Sequence, residues 1–146
     1  MKVEEAALEL LGRRKAREKF SDFCTYVTPH EVPAEHHLLI CDNVDRVVDG
    51  EIDNLMIFAP PGSAKSTYST KKFPSYYLGR HPDMAIICAS YDTELATEFG
   101  RQVRNYVTDA NYQVVFPGTR LSEDSRSKGQ WATDVGGTYY ACGWRS

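Results

Sequence analysis

The sequence lacks the features that would assign it at once to a membrane or secreted class. Its 146 residues contain no signal-peptide pattern and no apolar run long enough to span a bilayer, so we expect no membrane association. The four cysteines are widely scattered and form no C-x-x-C pair, which favours reduced core cysteines in a cytosolic protein. Neither an internal repeat nor a low-complexity stretch occurs, and one domain of ordinary length remains the expectation.

The chain also lacks a strong excess of charge of either sign. It has 17 basic and 20 acidic side chains, a formal net charge of −3, and no convincing basic tail. A nucleic-acid partner is neither indicated nor excluded, because local patches can hide within a balanced total. We interpret the basic run at residues 13–17 as a solvated helix face.

Apolar runs and amphipathic segments alternate along the chain. Helices are predicted over residues 4–19, 34–49 and 65–78, with a further helix capped by Asp92 or Thr93. Strands are predicted over residues 55–59 and 84–89, both of the doubly buried kind, and over residues 130–133 and 138–142, joined through Gly136 and Gly137. Residues 20–34 are interpreted as a connector. This order predicts an α/β fold with a parallel sheet covered by helices.

The segment with the clearest chemistry follows the apolar run 55–58. It reads Ala59-Pro60-Pro61-Gly62-Ser63-Ala64-Lys65-Ser66-Thr67 and matches the P-loop pattern G-x-x-x-x-G-K-[ST], except that alanines stand at both glycine positions. A strand, a tight loop and a helix together direct backbone N–H groups at phosphate oxygens. The sequence therefore predicts a phosphate-binding loop. An ordinary strand–turn–helix with a surface Lys-Ser pair is the alternative.

Each residue type in this loop has a chemical role in the P-loop hypothesis. The Lys65 ammonium would reach the β- and γ-phosphates, and the Ser66 hydroxyl would ligate the Mg²⁺ that bridges them. Gly62 supplies a residue free to adopt positive φ. The ligands predicted are ATP and Mg²⁺, and the predicted nucleotide-binding residues are Pro61, Gly62, Ser63, Ala64, Lys65, Ser66 and Thr67. For Ser63 and Thr67, capping of the loop is an equal interpretation.

Further groups occur in a fixed order around this loop. They are Glu35-His36-His37, Gly50-Glu51-Ile52, Ala89-Ser90-Tyr91, Phe99-Gly100-Arg101, Trp131, Thr133 and Gly136-Gly137. With them, residues 20–143 resemble the large terminase subunit of tailed bacteriophages, the ATPase of the DNA-packaging motor. The resemblance implies a P-loop NTPase-like parallel sheet flanked by helices. It also implies, as partners, double-stranded phage DNA, the small terminase subunit, the portal protein and other copies of the chain in a motor ring, in the host bacterial cytoplasm.

The chain departs from the family after residue 137. In terminases an apolar strand ending in acidic residues, the Walker B element, comes next, and a metal-dependent nuclease domain follows later. No such strand occurs after residue 84. From the residue pattern we expect an N-terminal helix at 1–19. At 20–146 the resemblance implies a P-loop ATPase domain that is incomplete at its C-terminus, with the nuclease domain absent. We expect nucleotide binding with little turnover, because hydrolysis needs a positioned water, and open apolar sheet edges.

Two other functions remain as alternatives: another P-loop ATPase, such as a helicase-like motor, and a catalytically inactive nucleotide-binding fragment or relic. Arg101 and Arg104 are candidate arginine fingers that stabilise the γ-phosphate. As surface residues of the helix predicted to start at Asp92 or Thr93 they would have no catalytic role, and spacing alone favours that interpretation.

Three aromatic or histidine groups also have competing interpretations. Tyr26 and Pro29 form adenine walls by the resemblance, or pack in the core. Adjacent histidines such as His36 and His37 point in different directions on a helix, so a structural or nucleotide-edge role is favoured over a metal site. For Trp131, Tyr139 and Tyr140, core or cross-strand pairing is favoured over stacking on a ligand.

Overall fold

The computed structural model of the chain describes residues 2–125 and 127–145. In these ranges it contains six α-helices, one π-helix and three strands. They are α1 Val3–Glu18, α2 Phe20–Val27, α3 Glu35–Val48, the π-helix Thr67–Lys72, α4 Phe73–Arg80, β1 Ala85–Asp92, α5 Thr93–Thr108, α6 Ala110–Val115, β2 Gln130–Ala132 and β3 Thr138–Arg145. The predicted mixed α/β class is confirmed. No helix in the described ranges is long and apolar enough to cross a membrane.

The three strands form one mixed sheet in the order β1-β3-β2. β1 and β3 are parallel, with Ala85 opposite Thr138, whereas β2 and β3 are antiparallel, with Trp131 opposite Tyr139. The prediction of a parallel sheet therefore holds for β1 and β3 but not for β2 and β3, while both strands predicted around Gly136 and Gly137 are observed. The connection between β2 and β3 is residues 133–137, which is too short for the crossover that a parallel pair requires.

The predicted strand at residues 55–59 is absent from this sheet. Within the described ranges the segment is extended but pairs with no other strand. Its side chains alternate: Leu55 and Ile57 pack against the core, while Met56 and Phe58 are 81% and 89% exposed. The apolar run predicted burial on both faces, but only the face with Leu55 and Ile57 is covered, and Met56 and Phe58 remain exposed.

The sheet is covered on one face. α5 packs against β1 and β3. Successive strand residues point to opposite faces, and on the other face Ile87, Tyr91, Tyr140 and Trp144 are exposed. The predicted arrangement with helices flanking the sheet therefore holds for one side of the described structure, and an apolar surface remains on the other.

An aromatic cluster forms the centre of the helical core. Phe20 and Phe23 of α2 pack against Tyr76 of α4, each with ring centroids 5.2 Å apart, and Tyr112 and Phe116 close the cluster. The prediction of a connector at residues 20–34 is wrong for its first half. Apolar residues at positions 20, 23, 24 and 27 have the spacing of a buried helix face, and this pattern overrides the nearby prolines.

The predicted helix at 65–78 is observed from residue 65 to Arg80, but its first half is a π-helix. The Phe73 N–H donates to the Tyr68 carbonyl five residues back, as in a π-turn. Pro74 explains the wide turn, because its ring lacks an N–H and clashes with the carbonyl four residues earlier in an α-helix. The proline was the sequence signal for this irregularity.

A buried lysine ties the π-helix to the segment after α2. The Lys72 side chain is fully buried, and its ammonium donates to the Thr28 hydroxyl and to a Glu31 carboxylate oxygen, both at 2.7 Å. The hydrogen bond from Lys72 lowers the pKa of the Glu31 carboxyl from its ordinary value. A buried ammonium needs such partners because the loss of hydration is otherwise uncompensated.

Glu31→Gln is expected to lower the free energy of unfolding at pH 7 by about 1–2 kcal/mol, because the buried Lys72 ammonium loses its counter-charge. The loss is no larger because Glu31 is partly exposed and water screens its charge. A depressed carboxyl pKa stabilises the fold above the unfolded-state pKa. The difference between wild type and variant should therefore shrink as the pH falls below about 4. Urea unfolding at several pH values measures it. Glu123→Gln, at an exposed position, is the control; equal effects of both substitutions would contradict the prediction.

Candidate phosphate-binding site

The 59–67 loop connects the extended segment 55–58 to the helical run that begins at residue 65. Gly62 adopts φ +80°, as predicted for this residue. Ala64 adopts φ +56°, the left-handed region, and is the only non-glycine residue in the described ranges to do so. Its Cβ makes this conformation cost roughly 1–2 kcal/mol. At a position where the pattern has glycine, Ala64 therefore adopts a backbone conformation that glycine would adopt without strain.

The loop lines an open cavity of about 380 Å³. Two backbone hydrogen bonds shape it, from the Ser63 N–H to the Pro60 carbonyl at 3.3 Å and from the Thr67 N–H to the Ala64 carbonyl at 3.0 Å. The lining consists of nine consecutive residues: Ala59, Pro60, Pro61, Gly62, Ser63, Ala64, Lys65, Ser66 and Thr67. The predicted nucleotide-binding residues thus line one concave surface, and none of them is acidic.

The polar side chains of the cavity are not engaged by the rest of the fold. Within the described residues, the Lys65 ammonium has no ion pair and the Ser66 and Thr67 hydroxyls have no hydrogen bond. The Ser63 hydroxyl oxygen is buried and lacks a hydrogen-bond partner. Buried polar groups are almost always paired, and a loop cavity lined by one cation and three hydroxyl residues with no carboxylate is a candidate site for an anion.

The donor set also suits Mg²⁺ that arrives with a nucleotide. In the described part of the chain, no group of three or more His, Cys, Asp or Glu side chains is arranged to hold a metal ion. Mg²⁺ keeps several waters and is commonly held by one or two protein oxygens together with phosphates. Ser66 supplies one such oxygen. The residues therefore fit Mg²⁺ as a companion of phosphate rather than as a resident ion.

Two histidines contact the loop from the start of α3. The Nε2 atoms of His37 and His36 lie 2.9 Å and 3.3 Å from the Ser63 carbonyl oxygen. His37 Nδ1 accepts a hydrogen bond from the Ala34 N–H at 3.0 Å, and its ring stacks on Tyr68 with centroids 4.5 Å apart. The expectation that the two rings point in different directions is wrong, because both reach the same carbonyl and their centroids lie 3.9 Å apart. The structural role indicated by the sequence takes the form of this contact with the loop.

The candidate arginines lie on α5 and make their contacts elsewhere. Arg101 Nε donates to a Glu98 carboxylate oxygen at 2.8 Å, and hydrogen bonds from Arg101 and then Gln102 lower the pKa of Glu98 to about 2. Arg104 donates to the Ser127 carbonyl at 2.9 Å. In the described ranges no hydrogen bond joins Arg101 to the 59–67 loop. The interpretation of Arg101 as a surface residue of this helix fits that placement.

The predicted adenine walls are not brought to the loop. Tyr26 and Pro29 line a surface pocket with residues of α1, and the Tyr26 hydroxyl donates to the Glu9 carboxylate. None of the loop residues lines that pocket. For Tyr26 the alternative interpretation, packing in the core, fits better than an adenine wall, because this half-buried ring packs against the core cluster.

The aromatic residues of the sheet form a cross-strand pair, as favoured from the sequence. The Trp131 and Tyr139 rings stack at 5.0 Å with an interplanar angle of 2°, and both are buried. Tyr140 lies on the exposed face of the same strand. The pair stabilises the junction of β2 and β3 and has no part in the loop cavity.

The fold and the site define an α/β chain with a candidate phosphate-binding loop. Comparisons of the chain with protein-family models, with curated proteins and with solved structures find no match. The chemistry of the 59–67 loop is therefore the basis for a functional assignment.

Proposed function

We propose that the chain binds the phosphates of ATP, together with Mg²⁺, in the cavity of the 59–67 loop. The observation that carries this proposal is that one continuous loop lines a cavity with the Lys65 ammonium and the Ser66 and Thr67 hydroxyls, for which the described residues provide no partner. A triphosphate would engage these groups, because its oxygens accept hydrogen bonds and its charge balances the ammonium.

The loop residues divide the task of binding. Lys65 contributes the positive charge for the terminal phosphates, and Ser66 contributes an oxygen to Mg²⁺. The Lys65 and Ser66 N–H groups, at the start of the helical run, have no backbone acceptor in the described residues, and such groups favour an anion. The left-handed turn at Gly62 and Ala64 folds these donors around one cavity.

The resemblance supports a more specific role, as the nucleotide-binding part of a phage DNA-packaging ATPase of the terminase large-subunit type. Double-stranded DNA, the small terminase subunit, the portal protein and further copies of the chain are the partners that this role implies. No carboxylate lines the described cavity. Phosphoryl transfer to water needs a group that positions the water, so we propose that these residues bind ATP without appreciable turnover.

Isothermal titration calorimetry with ATP and with AMP, each in the presence of Mg²⁺, tests phosphate recognition directly. ATP should bind at least about tenfold more tightly than AMP, since each charge-assisted hydrogen bond to the terminal phosphates contributes about 1.5–3 kcal/mol. Equal affinities would show that the β- and γ-phosphates are not recognised. Absence of ATP binding by a chain with a cooperative thermal transition would refute the proposal.

A further inference from the structure

The two imidazole contacts with the Ser63 carbonyl link the start of α3 to the phosphate loop, 26 residues further along the chain. We propose that His37 is a positioning residue of the 59–67 loop, which holds the Ser63 carbonyl and thereby keeps the left-handed turn that forms the cavity. The expected effect of His37 on ATP affinity rests on the proposed function. The expected effect of His37 on the conformation of the loop is independent of that function.

The hydrogen bonds of His37 assign its proton. The Ala34 N–H donates to Nδ1 at 3.0 Å, so Nδ1 carries a lone pair and no hydrogen. In the neutral imidazole the proton then lies on Nε2, which donates to the Ser63 carbonyl at 2.9 Å. Stacking on Tyr68, with an interplanar angle of 18°, fixes the plane of the ring. Both ring nitrogens of His37 are therefore hydrogen-bonded. Its orientation is fixed by the Ala34 N–H, the Ser63 carbonyl and the Tyr68 ring.

The held carbonyl controls the direction of the next N–H. The peptide bond between Ser63 and Ala64 is trans and planar, so its C=O and N–H point in opposite directions. When His37 fixes the Ser63 oxygen toward α3, the Ala64 N–H points away from α3. No described acceptor takes this N–H. The arrangement presents a donor on the loop, as in other backbone anion sites.

The contact also explains how a strained residue persists. Ala64 has φ +56°, and such a conformation persists where its surroundings fix it. His37 holds the residue before Ala64, and the Thr67 N–H holds the Ala64 carbonyl at 3.0 Å. The turn is thus secured on both sides. His36 approaches the same carbonyl at 3.3 Å from an exposed position and is the weaker of the two contacts.

His37→Asn separates the loop contact from the role of His37 at the start of α3. The asparagine Oδ1 takes the place of Nδ1 and accepts the Ala34 N–H, but the side chain has no atom at the position of Nε2. We expect the Kd for Mg-ATP to rise about tenfold, the equivalent of one lost hydrogen bond of about 1.4 kcal/mol. Amide hydrogen exchange at residues 62–65 should become faster without ATP, and the melting temperature should remain within a few degrees.

Two further variants test whether the effect of His37→Asn comes from the lost contact with Ser63: one should restore the contact, and the other is a control. His37→Gln places an amide nitrogen near the Nε2 position, and it should recover part of both the affinity and the exchange protection. His30→Asn, on an exposed histidine outside the loop cavity, should leave both quantities unchanged.

Unchanged exchange at residues 62–65 in His37→Asn would overturn the inference whether or not the wild type binds ATP. The inference would also be overturned if His37→Asn melted at so low a temperature that unfolding of the variant explained all of its weaker ATP binding. His37 would then stabilise the whole fold and would have no separate effect on the loop. If the wild type does not bind ATP, the proposed function fails, and faster exchange in His37→Asn with recovery in His37→Gln still supports the positioning role.

Discussion

Lys65→Ala is expected to weaken Mg-ATP binding about 100-fold, because hydrogen bonds from a charged donor contribute about 1.5–3 kcal/mol each and Lys65 is proposed to reach two phosphates. The substitution should leave the thermal transition unchanged. In the described structure the Lys65 ammonium has no ion pair and the side chain is only half-buried, so the fold does not depend on it. Titration calorimetry and a thermal melt of the same sample measure both quantities.

Lys71→Ala is the matched control for charge. Lys71 lies on the π-helix, is half-buried like Lys65, and does not line the loop cavity. A general electrostatic attraction between ATP and the chain would make the two substitutions equivalent, and that outcome would contradict the assignment of Lys65. Lys72 is unsuitable for this comparison because it is buried and paired with Glu31.

The elements that were predicted well from the sequence are those specified by local patterns. α3 and α5 have apolar residues at helical spacing, and the Asp92 side chain caps α5 by accepting the Glu94 N–H at 2.6 Å, as predicted. The strand predicted at 84–89 is observed as β1, which extends to Asp92, but its predicted burial on both faces is wrong, since Ile87 and Tyr91 are exposed. Each of these signals depends on residues a few positions apart, so the sequence alone contains the necessary information.

The elements that were predicted wrongly depend on distant partners. The segment 55–59 has the composition of a strand, but a strand also needs a neighbouring backbone to pair with, and composition does not identify one. The antiparallel pairing of β2 with β3 follows from the length of the connection rather than from either strand. In the helical region, two prolines suggested a connector and concealed the apolar spacing of α2.

In the candidate site, too, the features specified by neighbouring residues were predicted and a contact between distant residues was not. The nine loop residues and the positive φ of Gly62 were predicted from the pattern, and the structure brings them together around one cavity. The contact of His37 with Ser63 was not predicted, because a pair of histidines has no characteristic spacing to a loop 26 residues away. The positive φ of Ala64, at a position where the pattern has glycine, was not predicted from the sequence.

Gly137→Ala is expected to lower the free energy of unfolding by about 3 kcal/mol, the upper range for overpacking of a tight site. A Cβ at Gly137 would lie 2.1 Å from the Pro82 carbonyl oxygen and 2.9 Å from the Thr133 hydroxyl oxygen. The first atom belongs to the backbone and cannot rotate away. The second is already fixed, because the Thr133 hydroxyl donates to the Pro82 carbonyl and accepts from the Gly137 N–H.

Movement of this junction would disturb the start of the sheet, since the adjacent Thr138 N–H donates to the Met84 carbonyl just before β1. Urea unfolding followed by tryptophan fluorescence is a suitable measurement, because the buried Trp131 reports on the same region. Gly118→Ala is the control: a Cβ there meets no atom within 4 Å, and a change of less than about 0.5 kcal/mol is expected at such a surface position. If Gly137→Ala were as stable as Gly118→Ala, the close approach of the 133–138 turn to Pro82 would be wrong, and with it the parallel register of β1 and β3.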